Sequence, residues 1–341
     1  MITLDKIRIK TNYNYLLTKD VQFNQKYKRN SGELYQEFYN SNDDPQVPYT
    51  LYIAIDYEKQ TLTLQFTSKI LGDDYPKLIS CKTIRECLDN VNRIGICTID
   101  VDKILANSAV TSMDITVDVP TILTEKDLTA MDSLVGGYKR YKWQTYSDSG
   151  ITFNRDVKSQ SYKDSLVVYL KGKEIGKRDN QPFLASLTNP EAIKDYFRDK
   201  TRFELSLDCK RKIQDMFKIK DVYLHDILEL DNSILLQQFD RVFGNLQSSQ
   251  PSLTEKDRYD QFAMKCILQV YGNDLKQVEQ AIRNNGLFAS RSGRDKRLKK
   301  IEALYKAMQG EEANNRLLEI RNLLEKCVSP QVCQNNLVNS Y

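Results

Sequence analysis

Thr111-Ser-Met-Asp-Ile-Thr-Val-Asp-Val119 alternates without a break: Met113, Ile115, Val117 and Val119 fall on one side, Asp114, Thr116 and Asp118 on the other. A period of two sends successive side chains to opposite faces of a strand, so this segment predicts a strand with one apolar and one acidic face. Two later stretches repeat the pattern. Ser165-Leu-Val-Val-Tyr-Leu-Lys171 sets Ser165, Tyr169 and Lys171 in line. Arg202-Phe-Glu-Leu-Ser-Leu-Asp208 does the same with Arg202, Glu204, Ser206 and Asp208. If the three are neighbours, one sheet face gathers carboxylates, a tyrosine and cations.

On the flanks, Leu4 to Lys10 is a strand, and polar residues 20–47 are a long loop or excursion. Tyr49 to Tyr57 and Thr61 to Ser68 form a hairpin around Glu58-Lys59-Gln60. Helices are predicted at Thr83–Val91 and Val101–Ala106. Thr124-Glu-Lys-Asp127 is a capping box opening a helix to about Leu134, stopped by Gly136-Gly137. Strands Tyr141–Tyr146 and Ile151–Asn154 pair around Asp148-Ser149-Gly150. Asn189-Pro190 caps a helix running to about Asp199, and a short helix comes after it at Arg211–Phe217. The order β-β-α-β thus occurs twice. The expected fold class is α+β: a twisted, mostly antiparallel sheet built from two β-β-α-β-like halves, with helices on one face.

After about residue 222 strand signals stop. Residues 231–246, 254–271, 274–284 and 296–308 have helical spacing, and 311–327 adds a further helix. The expected division is therefore 1–220, with halves of about 1–135 and 136–220, followed by a helical C-terminal domain over 221–341.

Composition removes several chemistries. The 341 residues are 28% charged and 40% hydrophobic, which suits a globular protein. A single histidine, His225, excludes any two-histidine metal site and weakens serine or cysteine triads. Its apolar surroundings suggest packing or capping. Seven scattered cysteines with no CxxC pair argue against a disulfide framework or structural zinc, and for a reducing compartment. The first ten residues lack an apolar signal core, and no apolar run is long enough to span a bilayer. A net charge of +4 permits a nucleic-acid partner without requiring one.

Carboxylates, tyrosines, lysines and serines are left to carry any chemistry. Two or three carboxylate oxygens bind a hard divalent ion such as Mg²⁺ or Mn²⁺, which polarises a phosphodiester. A tyrosine is a poor nucleophile at its free pKa, and a nearby cation favours the phenolate. The same alternation is also what any solvated sheet face shows, and a single strand tyrosine among twenty carries little weight.

Motif order separates the two readings. Ser112-Met-Asp-Ile-Thr116, Gly150-Ile-Thr-Phe-Asn154, Ser165-Leu-Val-Val-Tyr-Leu-Lys-Gly-Lys-Glu174, and Leu187-Thr-Asn-Pro190 through Arg202-Phe-Glu-Leu-Ser-Leu207 come in one particular sequence. In that order they resemble the gene II/X replication initiators of filamentous phages and, more distantly, the Rep_trans plasmid initiators of rolling-circle replication. Phe66-Thr-Ser-Lys-Ile-Leu71 fits more loosely. The resemblance implies a catalytic nicking domain over 1–220. Tyr169 would be the nucleophile, with Lys171, Glu174 and Arg202 as its polar partners. Asp114, Glu204 and Asp118 would hold Mg²⁺ or Mn²⁺. It implies a site-specific DNA endonuclease that forms a phosphotyrosine and leaves a 3′ hydroxyl as primer. Its partners would be origin DNA, single-stranded at the nick, and a host helicase and polymerase, in the cytoplasm of a bacterial host. No membrane partner is expected, and a homodimer is left open. Two alternatives remain: a regulatory protein that binds DNA without cutting, and a relaxase-like nickase for DNA mobilisation.

Three further segments bear on DNA. Arg291, Arg294, Lys296, Arg297, Lys299 and Lys300 form a basic run against one acid, Asp295, which suits phosphate contacts or a solvated helix face. Tyr138-Lys-Arg-Tyr-Lys-Trp143 suits base stacking or an edge strand. Tyr162 is a reserve nucleophile, ranked below Tyr169.

Overall fold

The computed structural model describes residues 1–135, 141–146, 149–155, 162–244, 255–272, 274–284, 286 and 290–329. The strands, in chain order, are β1 (Leu4–Asn12), β2 (Leu16–Lys19), β3 (Asn24–Tyr27), β4 (Leu34–Asn40), β5 (Leu51–Asp56), β6 (Thr61–Thr67), β7 (Cys97–Ile99), β8 (Ala109–Val119), β9 (Tyr141–Tyr146), β10 (Gly150–Arg155), β11 (Asp164–Leu170) and β12 (Thr201–Leu207). β2 and β7 make a separate ribbon. The rest form one ten-stranded sheet in the order β3-β4-β5-β6-β1-β8-β12-β11-β10-β9. Every pairing in it is antiparallel.

Alternation sorts the two faces as the sequence implies. Met113, Ile115, Val117, Phe203, Leu205, Val168, Ile151 and Phe153 are buried together on one side. Helices cover this side: α1 (Ile84–Arg93), α2 (Val101–Asn107) and α3 (Glu125–Val135). The capping box is formed, with Thr124 N–H donating to Asp127 Oδ2 at 2.7 Å and Asp127 N–H to Thr124 Oγ1 at 3.4 Å. Gly136-Gly137 and Asp148 lie outside the described residues.

A smaller set of helices occupies the other, polar face. These are α4 (Lys171–Ile175), α5 (Gln181–Ala185) and α6 (Pro190–Phe197). With the 3-10 segment Ser68–Lys77 they bury a second cluster of Tyr75, Ile175, Phe183, Leu184, Ile193 and Phe197. Asn189 caps α6 through its side chain, accepting from Ala192 N–H at 3.1 Å. This roof covers one end of β11 and β12 and leaves the face over β1, β6 and β5 without a helix from that cluster.

Then come α7 (Lys210–Phe217), α8 (Leu224–Glu229), α9 (Ser233–Phe243), α10 (Glu255–Val270), α11 (Leu275–Asn284) and α12 (Arg291–Val328). The break expected at residue 220 is not a packing boundary. Leu224, Ile227, Leu228, Ile234, Phe239 and Phe243 from α8 and α9 belong to the sheet's own core, as do Leu317, Ile320 and Leu324 of α12. Only α10, α11 and the first half of α12 have a separate small core, of Met264, Leu268, Val278 and Ile301. The two helices expected on either side of Gly310 are one continuous helix.

Residues 20–47 hold two strands where the sequence suggested a loop. β3 is a fully exposed polar edge strand, so it carries no alternating signal. β4 turns Glu37 inward, where it accepts from Gln25 Nε2 at 2.9 Å and is also bound by Lys19 and Tyr57. A satisfied carboxylate at an inward position erases the hydrophobic pattern.

Candidate active site

Register brings the separate motifs together. On β8 and β12, Ser206 stands opposite Asp114, Glu204 opposite Thr116 and Arg202 opposite Asp118. On β11, Tyr169 stands opposite Arg202, and on β10 Gly150 stands opposite Tyr169. All of them share the polar face. Gly150 leaves room for the phenol, since a Cβ there would come within 2.7 Å of Tyr169 Cβ.

Tyr169 is half-buried, and its hydroxyl donates to Glu204 Oε2 at 3.2 Å. Burial, reinforced by the charge of Glu204, holds its pKa well above the ordinary value, so the resting phenol is neutral. Glu204 is itself pushed up to about 7 by burial and by the negative charges of Asp5 and Asp114. A carboxylate poised there, hydrogen-bonded to a phenol, has the properties of a general base at neutral pH.

Asp114 is buried, and burial raises its pKa even though Lys6 stands against Oδ2 at 2.5 Å. Its other oxygen, Oδ1, is buried without a well-formed hydrogen bond, and the Ser206 side chain opposite it is a polar neighbour that only partly offsets the burial. Such an orphan atom costs about 1–3 kcal/mol unless something fills the position.

Asp118 has a different place. Arg202, fully buried, holds it through two parallel bonds, Nε to Oδ1 at 2.7 Å and Nη2 to Oδ2 at 2.9 Å. Arg202 Nη1 also donates to Asp5 Oδ1 at 2.9 Å and to Tyr75 Oη at 3.0 Å. Asp118 and Arg202 therefore neutralise one another under the roof, and neither faces the Asp114–Glu204 pair as a free group. Lys171 lies in the first turn of α4 rather than at the end of the strand. Its ammonium contacts Glu174 Oε2 at 2.5 Å and sits 5.6 Å from the centre of the Tyr169 ring. Asn180 Nδ2 donates to Glu174 Oε1 at 2.9 Å, and Lys69 Nζ donates to Asn180 Oδ1 at 2.6 Å.

Sequence reading missed Asp5, Lys6, Tyr75, Lys69 and Asn180. Asp5 is the most consequential. Strict alternation would send it to the opposite face from Lys6, but the β1–β8 register shifts between Leu4 and Lys6. A bulge of this kind re-aims one side chain, and here it carries a carboxylate into the cluster. Burial alone would raise Asp5, yet Arg202 and Lys171 outweigh it and keep its carboxyl below the usual range.

Among the described residues, no three His, Cys, Asp or Glu side chains converge as a closed set of metal ligands. Two carboxylates with phosphate and water completing the shell are what Mg²⁺ ordinarily takes. Asp114 and Glu204 fit that partial set. A cation would satisfy the orphan Asp114 Oδ1 and relieve the repulsion that raises Glu204.

Residues 82–226 match the family model of the N-terminal region of the gene II replication-associated protein. The matched stretch contains Asp114, Tyr169, Lys171, Glu174, Arg202 and Glu204, and the phage-initiator motifs between Thr111 and Leu207 lie inside it. Asp5, Lys6 and Tyr75 lie before it and reach the same face through the fold. Among solved structures, a rolling circle replication initiator protein from Geobacillus stearothermophilus aligns over 73% of this chain and 88% of its own. The identity is 11% and the TM-score 0.37. No curated protein sequence matches.

The remaining candidates lie elsewhere. Tyr162 bonds Asp215 of α7, and its ring stands over Lys212, which pairs with Asp164 on the core face of β11. Trp143 is opposite Phe153 on the core face, half-buried against the sheet's core, and its Nε1–H donates to Asp132 Oδ1 at 2.7 Å. Tyr138, Lys139 and Arg140 are outside the described residues. Arg291, Lys296, Arg297, Lys299 and Lys300 are exposed at the start of α12, and Asp295 lies 3.9 Å from Arg291 and 3.5 Å from the half-buried Arg294. His225 is exposed on α8 and stacked on Tyr223 at 5.7 Å, rather than packed inside. Among the described residues, no helix is long and apolar enough to cross a membrane.

Proposed function

We propose that this protein is a replication initiator that nicks one DNA strand through Tyr169, in the cytoplasm of the cell hosting the replicating element. The observation that carries the reading is the Tyr169 hydroxyl donating to Glu204 at 3.2 Å, with Asp114 one step along the same face. The match of residues 82–226 to the N-terminal region of the gene II replication protein supports it.

In the proposed step, Tyr169 Oη attacks the phosphorus of the scissile diester as its proton passes to Glu204 Oε2. The P–O3′ bond breaks, the 3′ oxygen takes a proton from water, and the hydroxide so formed takes the proton held by Glu204, which regenerates the carboxylate. The products are a 5′-phosphotyrosine and a free 3′ hydroxyl able to prime synthesis by a host polymerase. Asp114 and Glu204 are the residues that would hold Mg²⁺ or Mn²⁺, which would supply charge neutralisation at the phosphate. Lys171 places a positive charge beside the tyrosine ring and favours the phenolate that attack requires. Glu174 and Asn180 fix that lysine, and Arg202 with Asp118 fixes the floor on which Tyr169 stands. The exposed cations of α12 are the proposed contact with the origin duplex.

The test is capture of a covalent adduct. Labelled single-stranded oligonucleotides of randomised sequence are incubated with Mn²⁺ and separated in denaturing gels. Wild type should retain label, and Tyr169→Phe should retain none. Asp114→Asn should lose at least tenfold, as expected when transition-state charge stabilisation is removed. Adducts of undiminished yield from Tyr169→Phe would sink the assignment.

A further inference from the structure

The polar face continues past Asp114 toward the other edge of the sheet. Lys6 is opposite Asp114 and Arg8 opposite Ser112, on that same face. The register then runs from Arg8 to Gln65 on β6, and from Gln65 to Tyr52 on β5. Tyr52 is opposite Asn40, and Phe38, two residues away on β4, shares its side. The other side of these strands is spent on the core through Ile9, Leu64, Ile53 and Ile55.

The composition of this face is unlike an ordinary solvated sheet. Phe38 and Tyr52, both partly exposed, hold their ring centres 6.1 Å apart at a tilt of 32°. Lys26 of β3 brings its ammonium within 4.8 Å of the Phe38 ring centre. Arg8 Nε donates to Gln65 Oε1 at 2.6 Å, and its charge acts on the Tyr52 phenol. Lys26 and Arg8 are exposed, and neither forms an ion pair with a described residue. Adjacent rings flanked by unneutralised cations are the elements of a single-strand nucleic-acid platform, where bases stack and phosphates meet positive charge.

We propose that a single-stranded DNA flank of the cleaved site lies across β1, β6, β5 and β4, stacking on Tyr52 and Phe38, with Arg8 and Lys26 at its phosphates. This rests on the nicking reading for the choice of DNA and adds the path of the strand. The platform is continuous with the site through Lys6. Three strand spacings of about 4.8 Å separate β5 from β8, and Asp114 lies two residues along β8 from the Ser112 that is in line with Tyr52, so the reach from Tyr52 to Asp114 is roughly 16 Å. That is well within the ~4–16 nucleotides of a single-strand binding site.

The experiment measures equilibrium binding of fluorescein-labelled oligothymidylate by anisotropy, with all proteins carrying Tyr169→Phe so that cleavage contributes nothing. Phe38→Leu and Tyr52→Leu keep apolar bulk and remove the flat ring. Each should weaken single-strand binding roughly five- to hundredfold while leaving affinity for a duplex of the same composition unchanged. Arg8→Gln should lower the salt slope by about 0.7. Leucine variants that bind the single strand like their parent, or lose duplex affinity by the same factor, overturn the proposal. Adduct formation by the protein with Tyr169 intact is scored separately. Adducts together with indifferent leucine variants remove this platform alone. Weakened leucine variants without any adduct keep the platform and remove the nicking reading.

Discussion

Glu204 shows at the scale of one residue how a buried carboxylate cluster can cost stability. Its carboxyl is raised from an ordinary 4.5 to about 7, first by burial and then by Asp5 and Asp114. A raised acid binds its proton more tightly folded than unfolded. The folded state is therefore favoured while both states are protonated, and the advantage is lost as pH rises from about 4.5 through 7. At about 1.4 kcal/mol per unit, the ionised group costs at most about 3.5 kcal/mol above pH 7. Glu204→Gln, which keeps an acceptor for Tyr169, should melt higher than wild type at pH 8 and level with it at pH 4, in EDTA. Equal melting at both pH values would remove the electrostatic account. The sequence made Glu204, Asp114 and Tyr169 legible because regular strands convert spacing directly into a face. It did not reveal Asp5, because a bulge leaves no period to follow. Nor did it show that Asp118 is held by Arg202, because that pairing depends on which strands are neighbours.

At the scale of elements, most of the sheet was legible and its irregular parts were not. β8, β11 and β12 alternate cleanly, and the Asn189 cap of α6 and the Thr124–Asp127 box before α3 are written in local chemistry. β4 was hidden by inward Glu37, and the Tyr75 segment by its 3-10 turns, which have no amphipathic repeat. β10 carries a consequence for chemistry. Any side chain at position 150 collides with Tyr169 Cβ and with the Val168 carbonyl, each 2.7 Å from the added atom. Gly150→Ala must either part β10 from β11 or turn the tyrosine, an overpacking cost of about 1–3 kcal/mol. Adduct yield should fall at least tenfold, since small misplacements of a reacting group are expensive. Thr152→Ala, on the same strand and face, should nick normally. If both variants keep full yield, the Gly150–Tyr169 contact does not position the proposed nucleophile.

At the scale of the whole molecule, chain order and packing diverge. The strand signals end near residue 222, yet the sheet's apolar face is closed by helices beyond that point. Phe239 and Phe243 of α9 pack at 6.2 Å from Phe203 and 5.2 Å from Phe153. The far half of α12 returns to the same core, tied by Arg316 to Asp127 of α3 and by Arg321 to Asp240 of α9. Each large side chain exposed by removing these helices forfeits about 1.5–3 kcal/mol. Leu224, Ile227, Leu228, Leu235, Phe239, Phe243, Leu317, Ile320 and Leu324 together exceed the whole stability of an ordinary domain, about 5–15 kcal/mol. A fragment of residues 1–220, though it holds every member of the Tyr169 cluster, should therefore lack a cooperative thermal transition and bind a hydrophobic dye. Removing residues 255–290, joined across by a flexible linker, takes out α10 and α11, which belong to the small satellite core. That variant should keep a cooperative transition and keep adduct formation. A 1–220 fragment that melts cooperatively would show that the sheet closes without its C-terminal helices.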